Sequence, residues 1–395
     1  MKRVKAAMRS KRRIWLAVGA VGTGLLVAIA VWVYTAFGDD RGGRGGGGLW
    51  AARADLAQQE LLNRFWDEKR GLHNNAAPCL LQLCTDPFHY WWQAHALDTL
   101  IDGYARTKED GYKQRIEAMY QGILDRNGIF PNDYYDDMEW MALAWLRAYD
   151  HLGDERYKEA VLVLWEDILT GWNETVGGGI AWRKEQLDYK NTPANAPAAI
   201  LGARLHARFG DEKDLEWAKR IFDWLRKTLV NPETGLVWDG INRQGDGRID
   251  KDWRFTYNQG VYIGAAVELY RVTQDRSYLD EAWKTAAYVE QQMTSPATGM
   301  LPSEGDGDGA LFKGILVRYL LELIKEDPAR AEGLVRMLLT NGESLWAYGK
   351  HPDAALFSNS WAQTPDPVVQ LSTQLSGMML LEALAVLEQL GYLDT

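Results

Sequence analysis

The sequence predicts an all-α protein, an (α/α)6 barrel of six inner and six outer helices, preceded by one N-terminal transmembrane helix. Three observations lead there. Beyond Leu49 the apolar residues recur at spacings of three and four, while alternating β-branched runs are rare, which is the pattern of helices with buried faces. The helical segments come in unequal pairs, one member charged along one side and the other apolar nearly all round. The links between segments alternate between tight and long.

Taken in order, residues 1–13 carry seven Lys/Arg and no acid, and Ile14 to Phe37 follow as 24 uncharged residues. That stretch is long enough for a bilayer core, which needs about 20 residues. The basic cluster holds the N-terminus in the cytoplasm, so a cell-membrane protein with a single pass is expected, its folded domain outside. Secretion after signal cleavage is the alternative. Cleaved signals have apolar regions of roughly 7–15 residues, and the one small-x-small site, Ala28-Ile29-Ala30, falls inside the apolar run. Residues 38–48 form a Gly-rich linker, flexible by composition, and the folded domain occupies 49–395. Cys79 and Cys84, a C-x4-C pair in an exported domain, are expected to close a local disulfide.

Candidate helices are 50–68, 88–106, 111–125, 136–150, 154–170, 193–209, 213–229, 257–273, 276–293, 310–325, 328–345 and 369–390. The second member of each pair, such as Gly260-Val261-Tyr262-Ile263-Gly264-Ala265-Ala266, is apolar on several sides and reads as buried. The first member, such as Glu212-Lys213-Asp214-Leu215-Glu216-Trp217, keeps one solvated face. Six alternations suggest a closed ring; an open solenoid, with more uniform repeats of about 34–47 residues, is the competing architecture. Links from inner to outer helices are tight, whereas 69–87, 126–135, 171–192, 230–256, 294–309 and 346–368 are long. All six long loops then emerge on one face, and long loops on a rigid scaffold usually carry function.

Composition narrows the chemistry. Formal net charge is −10, and the chain beyond its basic N-terminal segment sums to −17, so nucleic acid is an unsuitable partner. There is no Gly-rich phosphate loop, no G-x-S-x-G and no H-E-x-x-H, and none of the six His forms a ligand pair. The runs Gly245-Asp246-Gly247 and Glu304-Gly305-Asp306-Gly307-Asp308-Gly309 miss the calcium-loop pattern. No metal or cofactor is expected.

Asp136 and Asp137, at the start of the second inner helix, stand out. Adjacent carboxyls repel unless one stays protonated, so their pKa values should separate, as an acid and a base or nucleophile require. Retaining glycosidases hold two carboxyls ~5–5.5 Å apart, a separation neighbouring residues can reach. The plain alternative is a helix cap, since Asp136 precedes Glu139 by three and acids favour helix N-termini. The flanking Tyr134, Tyr135, Trp140 and Trp145 read individually as packing.

Six segments carry a resemblance: WWQAHALDTLIDGYART (91–107), YYDDMEWMALAWLRAYD (134–150), GGGIAWRKEQLDYKNTPANAPAAILGARL (177–205), GLVWDGIN (235–242), TYNQGVYIGAAVELYRVT (256–273) and LFKGILVRYLLEL (311–323). Together they resemble glycoside hydrolase family 76, endo-α-1,6-mannanases with an (α/α)6 barrel, over about residues 50–390. The resemblance implies a retaining mechanism in which Asp136 is the nucleophile and Asp137 the general acid/base. It implies sugar contacts at Asp239, Tyr257, Asn258, Gln259, Lys190 and Asn191, each of which could equally cap a helix or tie down a loop. Trp91, Trp182 and Trp238 could stack on sugar rings; Trp91 and Trp92 cannot both face the barrel centre. The function so implied is hydrolysis of internal α-1,6-mannosidic bonds in an extracellular or cell-wall mannan by a monomer. Transglycosylation in cell-wall assembly and non-catalytic mannan binding are the alternatives.

Overall fold

The computed structural model describes residues 48–79 and 84–393. The basic segment, the expected transmembrane segment and all of the linker but Gly48 lie outside the described residues. Among those described, no helix is long and apolar enough to cross a membrane.

Twelve α-helices are present among the described residues: α1 (Leu49–Arg64), α2 (Tyr90–Thr107), α3 (Asp110–Asn127), α4 (Tyr135–Leu152), α5 (Glu155–Leu169), α6 (Ala196–Phe209), α7 (Glu212–Thr228), α8 (Thr256–Thr273), α9 (Arg276–Tyr288), α10 (Gly309–Glu326), α11 (Glu332–Ala347) and α12 (Leu371–Gln389). The even-numbered helices form the inner ring. Each packs on the next, α2 on α4, α4 on α6, α6 on α8, α8 on α10 and α10 on α12, and α12 returns to α2. The ring is therefore closed, which removes the open-solenoid alternative. Helices α3, α5, α7 and α9 lie outside, each against the inner helix that precedes it. Helix α11 spans α10 and α12, and α1 packs mainly on α12.

Composition explains who lies inside. Nearly every residue of α8 and α12 is buried, whereas α7 buries only Leu215, Ala218, Ile221, Phe222, Trp224 and Leu225. Small residues let inner backbones approach. A Cβ on Gly260 would stand 2.6 Å from Leu316 Cα, so α8 and α10 could not keep this spacing with any larger residue there. The tight links repeat one device. A left-handed residue (Lys108, Gly153, Gly210 or Gln274) ends an inner helix, and in three links the Asp that follows caps the outer helix, Asp154, Asp211 and Asp275 accepting from the N–H two residues on.

The seam between the two ends of the chain is tied at both ends of the barrel. Buried Glu388 of α12 accepts from the N–H groups of Trp50 and Ala51, each at 3.1 Å, in place of a cap at the α1 N-terminus. At the other end, β3 (Ala76–Ala77), in the loop before α2, pairs antiparallel with β7 (Val369–Gln370), just before α12. Cys79 and Cys84, in that same loop before α2, are bonded, with Cα atoms 5.7 Å apart. The end of the axis at the inner-helix C-termini is lined by charge. Arg147 of α4 and Arg318 of α10 both engage Asp98 and Asp102 of α2. Burial alone would raise the Asp102 carboxyl, but the two guanidiniums outweigh it and hold it at about 2.

The long loops are not structureless. A β1–β2 hairpin (Trp66–Asp67, Leu72–His73) follows α1, so the first helix ends at Arg64 and not at 68. Strands β4 (Ala181–Arg183), β5 (Gln186–Asn191) and β6 (Gly240–Ile241) form a three-stranded sheet from two different loops. Residues 192–194 and 328–330 are 3-10 turns ahead of α6 and α11, and a π turn at 289–293 ends the α9 segment, so three expected helices are shorter than their periodicity suggests.

Removing the seam carboxylate tests its contribution. Glu388→Ala leaves two helix N–H groups without a partner and should lower stability by about 1–2 kcal/mol, read as a lower urea midpoint at unchanged slope. An unchanged midpoint would show that water or a neighbouring group replaces the cap at no cost.

Candidate active site

A cleft of about 560 Å³ opens at the end of the barrel where the inner helices begin. Asp136 and Asp137 lie in its wall, on the first turn of α4. The capping alternative is not what the geometry shows. The N-cap residue is Tyr134, without a side-chain cap bond, and the buried Glu139 carboxyl has no hydrogen-bond partner.

The two carboxyls have different surroundings. Asp136 accepts from the indole Nε1 of Trp182 at 3.1 Å and from the backbone N–H of Asp137 at 3.0 Å. Asp137 accepts from Asn132 Nδ2 at 3.2 Å. Burial pushes Asp136 up to about 7, opposed by its two donors and assisted by the charge of Asp239. Burial also lifts Asp137 well above the aspartate range, and the charges of Asp136 and Asp308 lift it further. Asp136, with two donors against one, is the more readily ionised of the pair, and burial beside that charge favours the neutral form of Asp137.

The β4–β5–β6 sheet builds one side of the cleft. Alternation along β5 sends Tyr189 and Asn191 into the cleft, while Lys190, between them, points to the other face and is fully buried with its ammonium unpartnered. That ammonium is driven down to about 8 by burial, and Lys190 is not placed to touch a sugar. Asp239, just before β6, is nearly saturated. It accepts from Asn258 at 3.0 Å, Tyr189 at 3.1 Å, Arg243 at 2.9 Å and Tyr257 at 3.4 Å. Burial raises its carboxyl despite these donors. The Tyr189 hydroxyl comes so close to Gly240 that a Cβ there would lie 2.4 Å from it.

Of the other expected contacts, Tyr257 lines the cleft, stacked on Phe312 with ring centroids 3.9 Å apart. Asn258 reaches the site through Asp239. Gln259 does not take part, because its amide clamps the backbone of Val237 in both directions, at 2.8 Å each. Trp91 and Trp182 line the cleft, while Trp238 does not. Trp92 is turned away and covered by His89 at 4.0 Å. Among the aromatics beside the acid pair, Tyr134 and Trp140 also face the cleft, and Tyr135 and Trp145 pack in the core.

Four cleft residues carry no local sequence signal, His89, Arg243, Trp253 and Phe255, while Asp308 and Phe312 lie in segments quoted above without a site role. Asp308 accepts the indole N–H of Trp91 at 3.1 Å and of Trp92 at 2.9 Å. Arg243 lies 3.6 Å from the Trp253 ring. The first acidic Gly run makes a surface turn; in the second, Glu304 accepts from the Thr256 N–H at 2.7 Å. Among the described residues no group of three or more His, Cys, Asp or Glu is placed to hold a metal ion.

The raised carboxyls set a sign for stability against pH. Below about pH 3 an aspartate is protonated in both folded and unfolded chains. As pH rises to 7 the unfolded chain ionises while the folded one holds its protons, so this contribution to stability is lost. Asp137→Asn should therefore be more stable than wild type in urea unfolding at pH 7, and the difference should shrink as the pH falls to 3. Equal differences at both pH values would contradict a raised Asp137 carboxyl.

Comparison with known proteins bears on the whole domain. Residues 49–394 match the profile of glycosyl hydrolase family 76. An alpha-1,6-mannanase from Salegentibacter sp. HEL1_6 superposes with a TM-score of 0.81 at 42% identity, covering 86% of this chain and 99% of that one. An inactive variant of that mannanase, with two adjacent aspartates replaced by alanine, is in complex with alpha-1,6-mannotetrose; it shares 41% identity over 86% of this chain and 100% of its own, with a TM-score of 0.81. A mannan endo-1,6-alpha-mannosidase of Candida glabrata is 26% identical over 269 residues, 61% of this chain. The match spans only 60% of that relative's length. With the profile running from the first turn of α1 to beyond α12, the chain belongs to glycosyl hydrolase family 76.

Proposed function

We propose that this chain is a retaining endo-α-1,6-mannanase acting on an extracellular or cell-wall mannan. The observation that carries the reading is the pair of adjacent buried carboxyls, unlike in their hydrogen bonding, in the wall of an open cleft. The Salegentibacter mannanase supports it, since its variant lacking two adjacent aspartates is inactive and still holds an α-1,6-linked mannose chain.

In the first step the Asp136 carboxylate attacks the anomeric carbon, and Asp137 gives its proton to the departing glycosidic oxygen. In the second, Asp137, now ionised, takes a proton from water as the water attacks the mannosyl ester and frees Asp136. Trp182 and the Asp137 backbone N–H fix the attacking carboxylate and favour its ionised form. Ring faces at Trp91 and Trp182, in the cleft wall, suit the apolar faces of pyranose rings. A sugar hydroxyl in place of water would make the same intermediate a glycosyl donor.

Variants of the pair test the roles. Asp136→Asn should lose turnover and keep mannan binding. Asp137→Asn should fall by about 10²–10⁴-fold on mannan, yet release a burst of phenol from an activated aryl mannoside, and added azide should speed the later phase because that anion needs no general base. Wild-type turnover by Asp136→Asn would remove the assignment.

We further propose that the uncharged run from Ile14 to Phe37, behind seven basic residues, anchors the protein in the cell membrane with the enzyme domain outside. Fractionation should then find full-length protein in membranes, with protease added to intact cells releasing the domain. A soluble chain lacking the apolar run would instead indicate signal cleavage.

A further inference from the structure

Among the described residues the Asp137 carboxyl takes one hydrogen bond, from a side chain that the catalytic steps above leave unused. Asn132 Nδ2 stands 3.2 Å from Asp137 Oδ2. The Asn132 amide cannot be turned around, because its own Oδ1 accepts the backbone N–H of Tyr134 at 3.1 Å, and that group can only donate. A donor therefore faces Asp137 Oδ2 whether the carboxyl is neutral or ionised. Oδ1 of the same carboxyl has no donor among the described residues, and Asp137 lines the cleft.

The segment that carries Asn132 is fixed from several sides. Asn127, the last residue of α3, donates to the carbonyls of Ile129 at 2.6 Å and Pro131 at 3.0 Å, and Tyr90, the first residue of α2, donates to that of Phe130 at 2.7 Å. The Lys184 N–H reaches the Asp133 carbonyl at 2.9 Å, and Tyr134 forms an antiparallel bridge with Arg183. Arg183 follows Trp182 in β4, and the Trp182 indole serves Asp136. The side-chain donors of both carboxyls thus hang on one stretch of paired backbone. Donors held in place before the reaction need no rearrangement when charge develops.

We infer that Asn132 is a positioning residue for Asp137, resting on the reading of Asp137 as the acid/base: by occupying Oδ2 it assigns the transferable proton to Oδ1 and holds the carboxylate that the transfer leaves behind. In the first step the O–H bond at Oδ1 breaks as the glycosidic oxygen takes the proton, and the charge left on the carboxyl is shared by Oδ2, against the Asn132 N–H. In the second, Oδ1 takes a proton back from the attacking water. A hydrogen bond that is stronger to the ionised form eases the departure of the proton. Burial lifts the Asp137 carboxyl and the Asn132 amide opposes the rise, so loss of that amide moves the titration of Asp137 upwards.

Two variants separate this role from a purely structural one. Asn132→Asp keeps an oxygen for the Tyr134 N–H, and so keeps the turn, but presents an acceptor instead of a donor to Asp137. Asn132→Ala loses both bonds. Each should lower kcat/KM on linear α-1,6-mannan by roughly 10- to 100-fold, Asn132→Asp at least as much as Asn132→Ala. On a dinitrophenyl α-1,6-mannobioside, whose leaving group needs little protonation, kcat/KM should stay within about threefold of wild type. The alkaline limb of kcat/KM on mannan reports the acid of the free enzyme and should move up by about one pH unit or more in both variants. Wild-type activity in Asn132→Asp beside an impaired Asn132→Ala would mark a turn-former and overturn the assignment, as would equal losses on the two substrates or an unmoved alkaline limb. Asp137→Asn controls for the underlying mechanism. If it loses as much on the dinitrophenyl substrate as on mannan, Asp137 is not the acid and both assignments fall; if its loss in kcat/KM is confined to mannan while Asn132→Asp behaves as wild type, only the role of Asn132 falls.

Discussion

The structure depends on a ring of six helices being closed by a domain whose first and last helices meet, with Gly48 against Glu388. Inner helices α2 to α10 each find their neighbour in sequence order, but the contact of α12 with α2 joins segments some 280 residues apart and has no short link to hold it. It is held by α1, which packs on α12 and takes the Glu388 carboxylate onto its own unsatisfied N–H groups, where helix dipole and hydrogen bonding act together. The β3–β7 pair does the same work at the opposite end. Once the ring is closed, all six inner N-termini converge, and loops far apart in sequence meet over them. The other end of the axis is where the arginines and acids of α2, α4 and α10 neutralise one another.

Within the cleft, charge is managed in the opposite sense. At the end of the axis by the inner-helix C-termini, Asp102 has two cationic partners that hold its carboxyl low; at the cleft end Asp136, Asp137 and Glu139 have none and are pushed towards their neutral forms. Burying carboxyls without counter-charge costs stability, and such strain is characteristic of sites that use proton transfer. Asp239 is intermediate. It is buried like the pair but surrounded by donors, which suits it to holding the shape of the site. The family assignment and this arrangement agree with each other, though they rest on independent observations.

Much of this was legible in the sequence, for reasons of scale. Twelve helices announce themselves because each repeats its period several times over, and the alternation of charged and apolar members marked which ones line the ring. Asp136 and Asp137 were visible because they are neighbours at a helix start. The short strands were not, since two or three residues hold no period, and that hid the consequence for Lys190: only knowledge that 186–191 is extended shows that Tyr189 and Asn191 share a face that Lys190 does not. Arg243 and Trp253 come from one long loop with nothing local to single them out, and Asp308 from another, where its place just ahead of an inner helix was the only pointer. Gln259 looked like a sugar contact and is spent on Val237, because a side-chain amide that matches a peptide group serves a backbone as readily as a hydroxyl.

The seam at Glu388 has an architectural consequence. Because Gly48 lies against that carboxylate, the chain begins its fold beside the place where it finishes, at the end of the barrel away from the cleft. A short bridge could join those ends, and the polypeptide could be opened afresh in a tight link such as Gly210-Asp211, whose two residues lie outside both flanking helices. The barrel is topologically indifferent to where its sequence is cut, and a domain of this kind can be spliced to another protein at either terminus with its cleft left clear.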